Sequence, residues 1–282
     1  MSVPMPQRRS VLARVALALA LVAGLGGAGS GGAKTLEHDA FAVVYSHMTD
    51  AEAHNLFERA RDGYAAVVKY LDLRPSQKIV IKDVDLGDQG NGRTTIPSTH
   101  TKAKANAPIQ IEIPLRYLRH SPFKTAVVHE LTHAVAGHPF KRSAFLAEGL
   151  AVHVNGVLAR SDESDSFVNY PIHAIAQRHL RRIVVLDPIQ HLIGTREIFS
   201  PEEKMFGSGY TRETGYVFAG SFVTFLVQRD GSGREDEGLA RFMSVYRDGD
   251  FEKAYGKPLS LLEREWMSFV RTQPAPRYRA AR

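Results

Sequence analysis

The stretch Thr125-Ala-Val-Val-His129-Glu130-Leu-Thr-His133-Ala-Val-Ala136 reads as one helix with its chemistry on the polar side. Val127, Val128, Leu131, Ala134 and Val135 give it an apolar flank. Upstream, Ser121 suits an N-cap and Pro122 the first helical position; downstream, Gly137 and Pro139 stop the helix. Residues four apart share a helix face, so the His129 and His133 imidazoles point at one spot and can hold one Zn2+. Glu130 sits beside that spot without ligating. It is placed to take the proton from a water that the metal has made acidic, and to carry it to a leaving amine. In a chain with 12 histidines the bare pattern arises by chance at a rate of roughly a few per cent. Its place on a capped helix behind an alternating strand lifts it above that rate.

A catalytic zinc takes three protein ligands and leaves one position open. His138 follows His133 by five residues, next to Pro139, and reads as a turn residue. The metzincin pattern, with Gly three and His six residues past the second His, is not met. Glu148 lies in a second predicted helix over 143–155, capped by Ser143. Its neighbours Phe145, Leu146, Ala147, Gly149, Leu150 and Ala151 are apolar or small. A carboxylate in such surroundings is costly unless paired or bound to a metal, which makes Glu148 the preferred third ligand. Gly149 allows another helix to come close. His153, about 140° further round that helix, faces elsewhere.

The rest of the chain frames these two helices. Residues 40–46, 78–84 and 109–113 read as strands, the last (IQIEI) half-buried or at an edge. A helix capped by Thr49 or Asp50 runs to about Leu71. Residues 85–108, rich in Gly, Asn, Thr and Pro, read as a long loop. Helices follow at about 171–182, 213–229, 236–246 and 259–270. Residues 1–33 have a polar start with Arg8 and Arg9, an apolar run over 15–28 and a Gly/Ser/Ala end. That is the layout of a cleaved signal peptide, with a loose likeness to a twin-arginine signal. The expected organisation is a signal segment at 1–33, one domain at 34–270 (an α/β part at 34–140 and a helical part at 141–270) and a basic tail at 271–282. No later stretch predicts a membrane span, so the expected location is periplasmic or extracellular.

Composition excludes several classes. With no cysteine, disulfides, thiolate metal sites and cysteine nucleophiles are ruled out. The net charge of +6 is carried by the ends. Three arginines lie in 1–33 and four in 271–282, neither segment has an acid, and the body is left near −1. A nucleic-acid groove would need that charge on the body. A polyanion- or membrane-surface-binding role for the arginine-rich ends is disfavoured on the same ground.

HELTH followed by FLAEGLAV, with 14 residues between His133 and Glu148, resembles the gluzincin metallopeptidases and, more narrowly, the peptidase-MA-like proteins. The segments Tyr216-Val-Phe-Ala-Gly-Ser-Phe, Phe251-Glu-Lys-Ala-Tyr-Gly and Leu262-Glu-Arg-Glu-Trp266 extend the likeness over roughly residues 36–270. The resemblance implies an α+β, zincin-like fold, in which a small mixed sheet and the active-site helix pack against a mainly helical C-terminal lobe. It also implies His129, His133 and Glu148 as ligands of one Zn2+ per chain, Glu130 as base and Tyr216 as donor to the oxyanion. Peptides or proteins would be the substrates, with the IQIEI strand at the cleft edge. Val152 stands where thermolysin-like relatives have an acid that orients a zinc histidine; Asn155 is the substitute considered. No Gly-x-Met-Glu-Asn segment is found, so aminopeptidase activity is not implied. A non-catalytic zinc-binding envelope or interaction module on the same fold is the alternative, although it would not need Glu130.

Overall fold

The computed structural model describes residues 32–85, 92–97, 107–115, 124–158, 172–182, 189, 192, 212–229 and 234–273. The expected signal segment up to residue 31, the tail from residue 274, Ser121, Pro122 and Tyr210 (a rival to Tyr216 for the oxyanion donor) lie outside the described residues. The described chain is a mixed α+β structure, a five-stranded sheet followed by helices.

The sheet comprises β1 (Lys34–Glu37), β2 (Phe41–Tyr45), β3 (Ile79–Val84), β4 (Arg93–Thr95) and β5 (Ile109–Pro114). Their order is β1-β2-β3-β5-β4; the central pairs are parallel and both outer pairs antiparallel. Alternation places Ile79, Ile81, Ile109, Ile111 and Ile113 in the core. Helix α1 (Asp50–Leu71) connects β2 to β3. Thr49 accepts from the Glu52 amide while Glu52 accepts from the Thr49 amide, a complete capping box. The buried Asp83 carboxylate accepts backbone N–H groups of Ser46, His47 and Met48, which ties the end of β3 to the entry of α1.

Two expectations for the sheet are corrected. β5 is not its edge, because β4 pairs along it with Thr94 opposite Ile111. The stretch 85–108 therefore contains a strand. Its three residues carry no apolar alternation; the ladder offered by β5, not side-chain pattern, makes it a strand. The strand β1 and the short helix α7 (Phe251–Tyr255) are further elements that sequence pattern does not predict.

Helix α2 (Lys124–Ala136) carries the two histidines and packs against α1, β4, β5 and α3 (Ala144–Leu158). Gly137, at φ 74°, ends α2 by donating to the His133 carbonyl. Ser143 caps α3, its Oγ accepting from the Leu146 amide at 3.3 Å. The remaining helices are α4 (Ile172–Leu180), α5 (Arg212–Gln228), α6 (Glu235–Asp248) and α8 (Leu259–Arg271). Among them α5 is central, packing on α3, α4, α6 and α8.

The α3–α5 seam depends on small residues from both sides. A Cβ at Gly149 would lie 2.7 Å from the Ala219 carbonyl oxygen, and one at Gly220 would lie 2.3 Å from Val152 Cγ1. Val152 thus fills this seam. Among the described residues no helix is long and apolar enough to cross a membrane.

Gly149→Ala forces a methyl against the backbone of α5. It is expected to lower unfolding stability by about 1–3 kcal/mol, read from the urea midpoint, with an unchanged far-UV spectrum in the native baseline.

Candidate metal centre

The helical period of α2 puts His129 and His133 on one face, and the crossing of α3 brings Glu148 to them. His129 Nε2 lies 3.0 Å from Glu148 Oε2, His133 Nε2 lies 3.4 Å from the same oxygen, and the two Nε2 atoms are 3.2 Å apart. Among the described residues this is the one group of three His or carboxylate side chains whose ligand atoms converge. The side chains are 17%, 13% and 17% exposed for His129, His133 and Glu148, shielded from bulk water yet open on one side. A tetrahedral Zn2+ with bonds near 2.0–2.1 Å holds its ligand atoms about 3.3 Å apart. The three separations match that spacing, and two imidazoles with a carboxylate are a fitting donor set.

Without a cation the group relies on a proton. Burial alone would lower the His133 pKa, but the charge and hydrogen bonding of Glu148 outweigh it and push the imidazole up to about 9. Burial would raise the Glu148 carboxyl; the charge of His133 and hydrogen bonds from both imidazoles instead hold it well below the ordinary carboxylate range. At neutral pH the metal-free pocket is therefore an ion pair in which a proton occupies the cation's place.

Glu130 is 7% exposed and is fixed from the sheet side. Thr94 on β4 donates to Glu130 Oε2 at 2.6 Å and also lies 3.1 Å from the Glu130 carbonyl oxygen. Glu130 Oε1 faces Gly92, where a Cβ would approach to 2.8 Å. One carboxylate oxygen is thus anchored and the other lies where only glycine leaves room. Tyr216, on α5, is half-buried, its ring centroid 6.1 Å from that of His129. These residues line one cleft of about 460 Å³ together with Arg93, His138 and Arg142.

The remaining candidates separate cleanly. His138 lines the cleft but is outside the converging group; burial and the nearby Arg142 hold its pKa below the usual value. His153 is buried on the other side of α3, between the Tyr70 hydroxyl at 2.8 Å and Thr224 Oγ1 at 3.0 Å. Asn155 does not serve the imidazoles: its Oδ1 is buried without a hydrogen-bond partner. Sequence reading missed Thr94 and Gly92, which sit in a polar, glycine-rich stretch with no motif around them. Tyr246 was missed as well; it donates to the Gly137 carbonyl and anchors the end of α2.

No family model matches the chain, and no curated protein matches it. Among solved structures, a point mutant of an M1 zinc metallopeptidase from Deinococcus radiodurans is similar, with a TM-score of 0.48 and 13% identity. The match covers 88% of this chain and 54% of that one, so the chain spans about half the length of that protein.

The pKa directions set the pH behaviour of metal-free protein. The raised His133 pKa contributes stability that is complete below the unfolded value of 6.5 and is lost as pH rises through about 9. The lowered Glu148 pKa contributes stability present above the unfolded value of 4.5 and lost as pH falls through its folded value. Metal-free protein is expected to melt at falling temperature between pH 6.5 and 9. Zinc added at pH 7 should release about one proton per chain, read by titration calorimetry in buffers of different ionisation enthalpy. Zinc uptake without proton release would contradict the ion-pair description.

Proposed function

We propose that the chain is an exported zinc-dependent peptidase of zincin-like fold, with His129, His133 and Glu148 as zinc ligands and Glu130 as general base. The observation that carries this reading is the converging Nε2, Nε2 and Oε2 triad with a separately held carboxylate beside it in an open cleft. A purely structural zinc site is closed by a fourth protein ligand and has no use for a poised base. Export rests on the signal-like pattern of residues 1–33; the arginines at both ends account for the net positive charge and leave a near-neutral body.

A bound Zn2+ supplies Lewis acidity, which polarises a carbonyl and lowers the pKa of water. The chain's own groups do the rest. Thr94 fixes Glu130 Oε2, so Oε1 is the oxygen that accepts the proton from attacking water and later delivers it to the leaving nitrogen. Tyr216, which lines the same cleft, would donate to the oxygen on which negative charge develops. β4, the last strand at one end of the described sheet, would pair through its outer side with an extended peptide, in the role expected of the IQIEI strand.

Purified protein should hold about one zinc per chain and cleave members of a mixed peptide library. Glu130→Gln should keep the zinc and lose at least a hundredfold in rate. A wild-type chain that takes up no zinc would overturn the proposal, whereas zinc uptake with no cleavage in any peptide would favour the non-catalytic binding module.

Thr94→Val keeps the strand but removes the hydroxyl. It should lower kcat about tenfold with little change in KM or zinc content, and Thr94→Ser should recover most of the loss.

A further inference from the structure

The turn that joins α2 to α3 is fixed at three points. Tyr246 holds the Gly137 carbonyl at 2.9 Å. The Phe140 ring is wedged where a Cβ at Gly249 would come within 2.3 Å of it. The buried Ser143 caps α3. Between these anchors Lys141 and Arg142 both adopt left-handed backbone, at φ 51° and 54°, although neither is glycine. Such a conformation costs of order 1–3 kcal/mol per residue and persists only where the surroundings impose it. Its effect is to expose both side chains beside the cleft. The Lys141 ammonium lies over the Phe140 ring at 5.1 Å, whereas Arg142 lines the cleft that contains His129, Glu130, His133 and Glu148.

The charges in that cleft are otherwise occupied. Glu148 is shared by two imidazoles and Glu130 is bonded to Thr94. Arg93, the other cleft arginine, is bound to Glu112 through Nε at 3.0 Å and Nη2 at 2.6 Å. Among the described residues no carboxylate pairs with Arg142. A guanidinium presented on an anchored turn, with no carboxylate among the described residues on its donor fork, suits a planar carboxylate. We propose that Arg142 is a recognition residue that binds a carboxylate of the peptide lying in this cleft. This rests on the peptidase reading and adds a substrate class to it: peptides with a free C-terminus, or with an acidic side chain, near the bond to be cut.

The test uses one neutral peptide as free acid and as C-terminal amide, together with amidated versions carrying a single Glu at successive positions. Binding is followed by fluorescence anisotropy on zinc-loaded Glu130→Gln protein and on metal-free wild type; cleavage is followed on zinc-loaded wild type. One carboxylate form should bind about tenfold more tightly than the neutral amide, with and without metal. Preference for the free acid identifies the C-terminus, and preference for one Glu position identifies a side chain. Arg142→Gln should bring the ratio close to one, and Arg142→Lys should retain part of it. Equal binding of every form by wild type overturns the proposal, as does a preference that survives Arg142→Gln or disappears when metal is removed. Failure to bind any peptide overturns both readings. A carboxylate preference in binding with no cleavage keeps the role of Arg142 and sinks the peptidase reading; cleavage without the preference does the reverse.

Discussion

The structure depends on one crossing. Helix α3 must pass α2 closely enough to set Glu148 Oε2 at 3.0 and 3.4 Å from two imidazole nitrogens. A buried carboxylate held that way cannot be left alone, because removing its partners would leave an uncompensated charge out of water. The ion pair of metal-free protein and the donor set offered to a metal are thus two ways of meeting the same electrostatic demand. Either one ties the two helices together at the floor of the cleft.

The helical lobe is arranged to keep that crossing in place. Gly149, immediately after Glu148, lets the α5 backbone reach α3, and Gly220 makes room for Val152 one turn along. On the opposite side of α3, His153 links Tyr70 of α1 with Thr224 of α5, and Tyr70 also donates to Glu235 of α6. These bonds satisfy buried polar groups from four helices and leave α3 little freedom to rotate. The end of α2 is secured separately, by Gly137 donating to His133 and by Tyr246 on the Gly137 carbonyl.

The sheet contributes through its last strand. β4 is short and polar, yet it lies against α2 and supplies the hydroxyl that holds the Glu130 carboxylate, while Gly92, just before it, leaves room for the second carboxylate oxygen. The Glu130 carboxylate is therefore positioned from outside its own helix. Such anchoring restricts how a carboxylate can rotate, and orientation of that kind matters to any proton transfer the group takes part in.

What the sequence by itself determined was local. The spacing of His129 and His133, the capping box at Thr49, the Gly137 stop and the period-two alternation of β3 and β5 follow from one stretch of backbone, and each is legible without knowing what lies opposite. Burial chemistry around Glu148 also singled out that carboxylate before its partners were known. Only the tertiary structure decided which partners meet through space: that Glu148 reaches both imidazoles, that His138 and His153 do not join them, and that β4 displaces the IQIEI strand from the edge. It also decided that the Asn155 Oδ1 does not accept from the imidazoles and that Thr94 and Arg142 belong to the cleft. Those outcomes depend on sheet order and helix crossing, where residues dozens of positions apart are brought within a few ångströms, and no local period carries that information.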